Sequence, residues 1–139
     1  MSARTFIYGT MLADEALVEL VGGDEPRIFA KKTMTSAIEE HPYLVYKLGN
    51  ETLELANEEL EVTRQFFQIW VHDYHDQETG DYAKIDEIIE HLRRVFWIKN
   101  SAEEGVWITN WIETSQDLND DTLNTLFKYV RFQLIRRAQ

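Results

Sequence analysis

Apolar positions change their spacing several times along the chain, and each change predicts an element. Between Phe6 and Val21, the residues Phe6, Ala13, Leu17 and Leu20 recur at helical spacing. Gly22-Gly23 supplies the stop, because glycine enters the left-handed conformation without a Cβ clash. After Pro26, Arg27 to Ala30 reads as a short strand. Tyr43 to Leu48 is rich in aromatic and β-branched residues and predicts a second strand that ends at Gly49-Asn50. Thr63 to Tyr74 carries the strongest strand signal. Its alternation sends Phe66 and Trp70 to one face and Phe67, Ile69 and Val71 to the other. Both faces are therefore expected to be covered, which places this strand centrally in a sheet.

Between these strands lies NETLELANEELE, residues 50–61, strongly acidic and weakly patterned, expected as a loop or a protruding hairpin. Gln77 to Gly80 predicts a turn, and Asp81 is placed to cap a helix with the stripe Tyr82, Ile85, Ile89, Leu92 and Phe96. Glu87–His91 and Glu90–Arg94 are i,i+4 pairs on its polar face, and Arg93, Arg94 and Lys99 suit its C-terminal dipole. Gly105 precedes a strand with Val106, Ile108 and Ile112 on one face and Trp107 and Trp111 on the other. Residues 113–121 read as an acidic turn. Leu123 to Arg137 fits either period, and its β-rich composition favours a strand. The order α-β-β-β-α-β-β predicts an α+β fold: one domain over residues 1–139, with one mainly antiparallel sheet packed against two helices.

Charge narrows the function. Lys and Arg total 14 against 25 Asp and Glu, a net −11 over 139 residues. Such a chain repels phosphate, so neither nucleic acid nor an anionic membrane is an expected ligand. Solubility alone accounts for much acidity, but two further roles suit it: meeting a basic partner, or lining a passage through which DNA slides without sticking. There is no cysteine, hence no disulfide or thiolate site, which suits a reducing cytosol. The N-terminal stretch meets acid at Asp14 and Glu15 before any continuous apolar run, unlike a signal peptide. No apolar run approaches the ~20 residues a bilayer requires.

Catalytic patterns are weak. His72-Asp73-Tyr74-His75-Asp76 has ligand types that suit a metal, yet His72 and His75 point to opposite faces of an extended strand, and a polar strand end is the expected outcome. Glu39-Glu40 and Glu58-Glu59 sit in polar surroundings without the desolvation that acid catalysis needs. No nucleophile elbow, H-E-x-x-H pair or phosphate-cradling glycine loop occurs. No catalytic, cofactor or metal residue is therefore assigned. Trp107 and Trp111 could form a binding platform, since tryptophan is enriched at interface hot spots, or a core beneath a helix.

Several short pieces recur in order along most of the chain: Leu17 to Gly22, Arg27-Ile28-Phe29, Pro42 to Tyr46, Phe67 to Asp73, Asp81 to Ile88, Trp111 to Leu118, and Lys128 to Phe132. In their order and spacing the sequence resembles the tail terminator (tail-completion) proteins of long-tailed bacteriophages. The resemblance implies no catalytic residues. It implies a small subunit of a ring, usually of six copies, that caps the head-proximal end of the tail tube, ends tube polymerisation and joins the neck of the head. Its partners would be further copies of itself, the tail tube protein and a neck or head-completion protein, with DNA passing through and no membrane involved. Assembly would occur in the cytoplasm of a bacterial host. The acidic stretch around Glu51 to Glu61 is longer than the corresponding loop expected from the family. Either Glu58, Glu59 and Glu61 or Asp117, Asp120 and Asp121 would face the DNA passage, and the other set would meet the tube or neck. Both sets are expected in polar loops, where charge reversal costs within about 0.5 kcal/mol per site. A neck protein and an acidic inhibitor of a basic toxin are the alternative readings.

Overall fold

A computed structural model describes residues 2–30, 42–74, 82–97 and 105–137, without the side chains of Val106 and Trp107. The first helical stretch is two helices, α1 (Ala3–Leu12) and α2 (Glu15–Leu20). Asp14 causes the break: its Oδ1 accepts the Leu17 N–H at 2.8 Å and caps a new helix. Gly22 and Gly23 end α2 at positive φ, and the Gly23 N–H returns to the Val18 carbonyl at 2.8 Å. Strand β1 (Ile28–Ala30) follows, parallel to β2 (Tyr43–Ala56).

Strand β2 does not stop at Gly49-Asn50. The register with β3 (Glu61–Tyr74) shifts there, and the ribbon continues to Ala56. Glycine suits this bulge because a Cβ would lie 3.2 Å from the Phe66 carbonyl oxygen. The buried Gln65 donates its side-chain amide to the Gly49 carbonyl at 3.0 Å, so the bulge is tied to the opposite strand. The acidic stretch is thus the far end of a hairpin. At its tip, Asn57 Oδ1 accepts the N–H groups of Glu59 and Leu60.

Helix α3 (Ala83–Val95) precedes β4 (Val106–Thr114), β5 (Leu118–Asp120) and β6 (Thr125–Arg137). Asp81, the cap expected for α3, lies outside the described residues. The ambiguous C-terminal segment is strand from Thr125 to Arg137, after a turn at Leu123-Asn124, and pairs with β3 on one side and β4 and β5 on the other. The sheet order is β1-β2-β3-β6-β4, antiparallel except for β1, with β5 also pairing β6. The chain is therefore an α+β protein, with β3 central as its alternation predicts.

The core lies on the helix-covered face. One cross-strand row there runs Leu48, Phe67, Phe132, Trp111. Phe96 packs on Phe67 and Phe132 at 5.1 and 5.2 Å between ring centroids. Helix α3 buries Ile85, Ile88, Ile89 and Leu92 against this face, and α1 buries Phe6, Ile7 and Met11. Thr109, fully buried on β4, donates its hydroxyl to the Phe96 carbonyl at 3.0 Å and closes the exit of α3.

Candidate assembly surfaces

The opposite, outer face of the sheet starts from the same alternation. Its rows, read from the register, are Tyr43, His72 and Phe127; Val45, Trp70 and Tyr129; and Lys47, Gln68, Arg131 and Glu113. In the first row His72 is buried and stacks between Tyr43 at 4.8 Å and Phe127 at 5.0 Å. Its Nδ1 is 2.8 Å from the Thr125 hydroxyl. Burial, then the charge of Asp120, pushes the Tyr43 phenol up to about 12, against a weaker opposing hydrogen bond from Thr125. His72 is thus a packed member of an aromatic row, while His75, Asp76, His41 and Glu39-Glu40 lie outside the described residues. Among the described residues, no group of three or more His, Asp or Glu side chains is placed to hold a metal ion.

Further along, this face opens. Full cover on both sides of β3 does not hold: Phe66 and Trp70 are half-buried and wall a cavity of about 440 Å³. Lys47, Gly49, Thr52 and Arg131 complete the lining that matters chemically. The Arg131 guanidinium lies 4.3 Å from the centre of the Phe66 ring and 3.8 Å from a Glu113 oxygen. Sequence reasoning missed this site. The signal was present in the two apolar faces of β3, because the sequence offers only enough helix to cover one of them.

The two acidic sets occupy different environments. Glu58 and Glu59 are exposed at the hairpin tip, and Glu61 opens β3. Asp117, Asp120 and Asp121 surround β5, and here the polar-loop expectation fails. Asp117 pairs with Lys128 at 3.1 Å, and Lys128 also reaches Asp86 on α3 at 2.7 Å. Burial pulls Lys128 down, but the hydrogen bonds and charges of Asp86 and Asp117 outweigh it and leave its pKa raised. Asp120 Oδ1 accepts the Leu123 N–H at 2.9 Å, and Asp121 accepts from Asn119 at 3.0 Å. The Tyr82 hydroxyl donates to the Leu118 carbonyl at 2.8 Å. This turn is stapled to α3, so reversing its charges breaks structure as well as altering the field.

Of the tryptophan platform, Trp107 has its side chain outside the described part of the structure. Trp111 lies at the β4 edge, 36% exposed, with the Arg93 guanidinium 4.0 Å from its ring centre and its N–H donating to Thr114 at 3.0 Å. Thr109 to Trp111 pair with β6 in continuous register, the two register shifts of β4 lying on either side, so Trp111 shares the helix-covered face with buried Thr109 by simple alternation.

No protein family and no curated protein matches the sequence. The fold is found in solved structures. It is similar to a chain of the structure described as "Virion of native gene transfer agent (GTA) particle", with a TM-score of 0.68 and 13% identity. That likeness covers 95% of this chain and 92% of the other. At such identity it is the architecture that is shared, over nearly the whole of both chains. Among the described residues, no helix is long and apolar enough to cross a membrane.

Proposed function

We propose that this protein is a structural, non-enzymatic component of a phage-like virion, and within it the ring that caps the tail tube. The observation that carries the reading is the likeness in fold, across 95% of the chain, to a chain of a gene transfer agent virion. The sequence resemblance to tail terminators supports the finer role. In that role about six copies close a ring on the head-proximal end of the tube, end its polymerisation and form the joint to the head or neck. A net charge of −11 favours a passage that DNA traverses without binding, because attraction to phosphate would retard it. Carboxylates of one of the two acidic sets face that passage, and the protein resides at the head-proximal end of the tail after assembly in the bacterial cytoplasm.

Omission of this chain from an assembling particle tests the reading. Tubes of uncontrolled length that fail to join heads are the expected result, with native mass spectrometry of normal tube-bound caps giving six copies. Tubes of normal length joined to heads in its absence, or a strict dimer in every setting, would sink the role.

A further inference from the structure

The outer-face cavity and the distal arm of β2 are chemical opposites. The cavity has an aromatic wall, Phe66 and Trp70, and two cations at its rim, Lys47 and Arg131, on a chain whose net charge is −11. Lys47 is exposed and carries no ion pair among the described residues. The arm carries Leu53 and Leu55, 62% and 52% exposed, which among the described residues no large apolar side chain outside it exceeds except Trp97 and Tyr74. Glutamates surround them. Glu51 and Glu54 are held by Arg136 and Arg64, whereas Glu58, Glu59 and Glu61 carry no ion pair among the described residues. At about 440 Å³ the cavity has the size of sites that take a few side chains or a small ligand.

The arm cannot fill its own cavity. Pairing with β3 holds it extended, and Leu55 lies three residues beyond Thr52, the last residue of the arm to line the cavity, roughly 10 Å at the rise of a strand. The occupant must be another molecule, and this chain itself supplies the complementary surface. We propose that the arm of one copy docks in the outer-face cavity of the next, with Leu55 against Phe66 and Trp70 and its glutamates toward Lys47 and Arg131. This rests on the ring reading above and names its contact. Two different patches meet, so the interaction is heterologous and runs head to tail until a ring closes. It assigns Glu58, Glu59 and Glu61 to contact between copies rather than to the DNA passage.

Because the chain has no cysteine, engineered thiols report the contact without background. Copies carrying Leu55→Cys are mixed with copies carrying Gln68→Cys, the cavity residue between Lys47 and Arg131, and oxidised mildly, both as purified chain and in tube-bound caps. The mixture should give disulfide-linked pairs about tenfold above either variant alone, and the double variant should give a ladder that ends at the closed ring. Charge exchange gives a second measure. Lys47→Glu should weaken ring assembly about tenfold, and Glu58→Lys, Glu59→Lys and Glu61→Lys added together should restore it. Six-copy caps built from the double variant with no Leu55–Gln68 cross-link would overturn the docking while leaving the ring intact. Cross-links from Leu55→Cys to a different virion protein would overturn it as well. Absence of any ring, in solution or on the tube, would instead remove the functional reading on which the docking rests.

Discussion

The two halves of β2 obey different rules although they form one continuous strand. Tyr43 to Tyr46 are all buried, while every residue from Gly49 to Ala56 is exposed. The near half lies between β1 and β3, whereas the far half pairs with β3 alone. Strand pairing therefore does not make a core: side chains become buried only where a second layer or another strand reaches them. The near half is built for stability. The far half adds backbone order and keeps its side chains free to meet something else.

Breaking the covered half should have the largest effect. Phe67→Ala removes a ring stacked on Phe132 and packed by Phe96, at a position 1% exposed, and should cost about 3–5 kcal/mol in chemical denaturation. A loss under 1 kcal/mol would mean that the helix-covered face is not the core. Next comes alkaline titration. The Tyr43 phenol stands near 12 when folded and near 10 when unfolded, so the folded state holds the proton more tightly between those values. Stability should therefore fall as pH rises from 10 to about 12, by on the order of 2–3 kcal/mol, and Tyr43→Phe should flatten that fall in thermal melts taken across the range.

Smaller effects sharpen the contrast between the acidic sets. Asp117→Ala with Asp120→Ala removes one of the two Lys128 partners and the Leu123 turn bond, and should cost about 1–2 kcal/mol. Glu58→Ala with Glu59→Ala should change stability by less than about 0.5 kcal/mol. Equal losses in the two pairs, measured by urea unfolding, would erase the difference between the free hairpin tip and the stapled turn. Smallest of all, Leu53→Ser with Leu55→Ser should leave the melting temperature of the isolated chain unchanged within about 2 °C, since neither side chain is buried in a single copy.

Much of this fold was legible from period alone. The central place of β3 and the stripe of α3 follow from alternation or helical spacing, because burial on one face leaves a regular trace, while the C-terminal segment fits both periods and is told as a strand by its β-rich composition. What escaped was set by single polar atoms. Asp14 splits the first helix by offering one oxygen to Leu17, and in sequence it looks like any acid within a helical run. Gly49-Asn50 reads as a stop, yet a buried glutamine across the ribbon turns it into a bulge. The candidate surfaces were half visible. Acidity flagged both sets, but only three-dimensional neighbours separate the free tip from the stapled turn, since Lys128 and Tyr82 lie far from that turn or outside it in sequence. The outer cavity depends on Lys47 and Arg131 flanking Gln68, a juxtaposition that exists only once the register of three strands is fixed.

The bulge at Gly49-Asn50 also limits how this protein can change length. Side chains on a strand alternate with a period of two, so the extra residue there sets the phase from Glu51 to Leu53, and a second register shift between Leu53 and Leu55 resets it. Deleting Asn50 would leave Gly49 alone opposite Phe66 and Glu51 still opposite Gln65, whereas deleting a residue between Glu51 and Leu53 would turn the rest of that stretch to the other face. Gains or losses of two residues would preserve the pattern. Related chains should therefore vary the regular part of this arm in even steps, with odd steps confined to its two bulges.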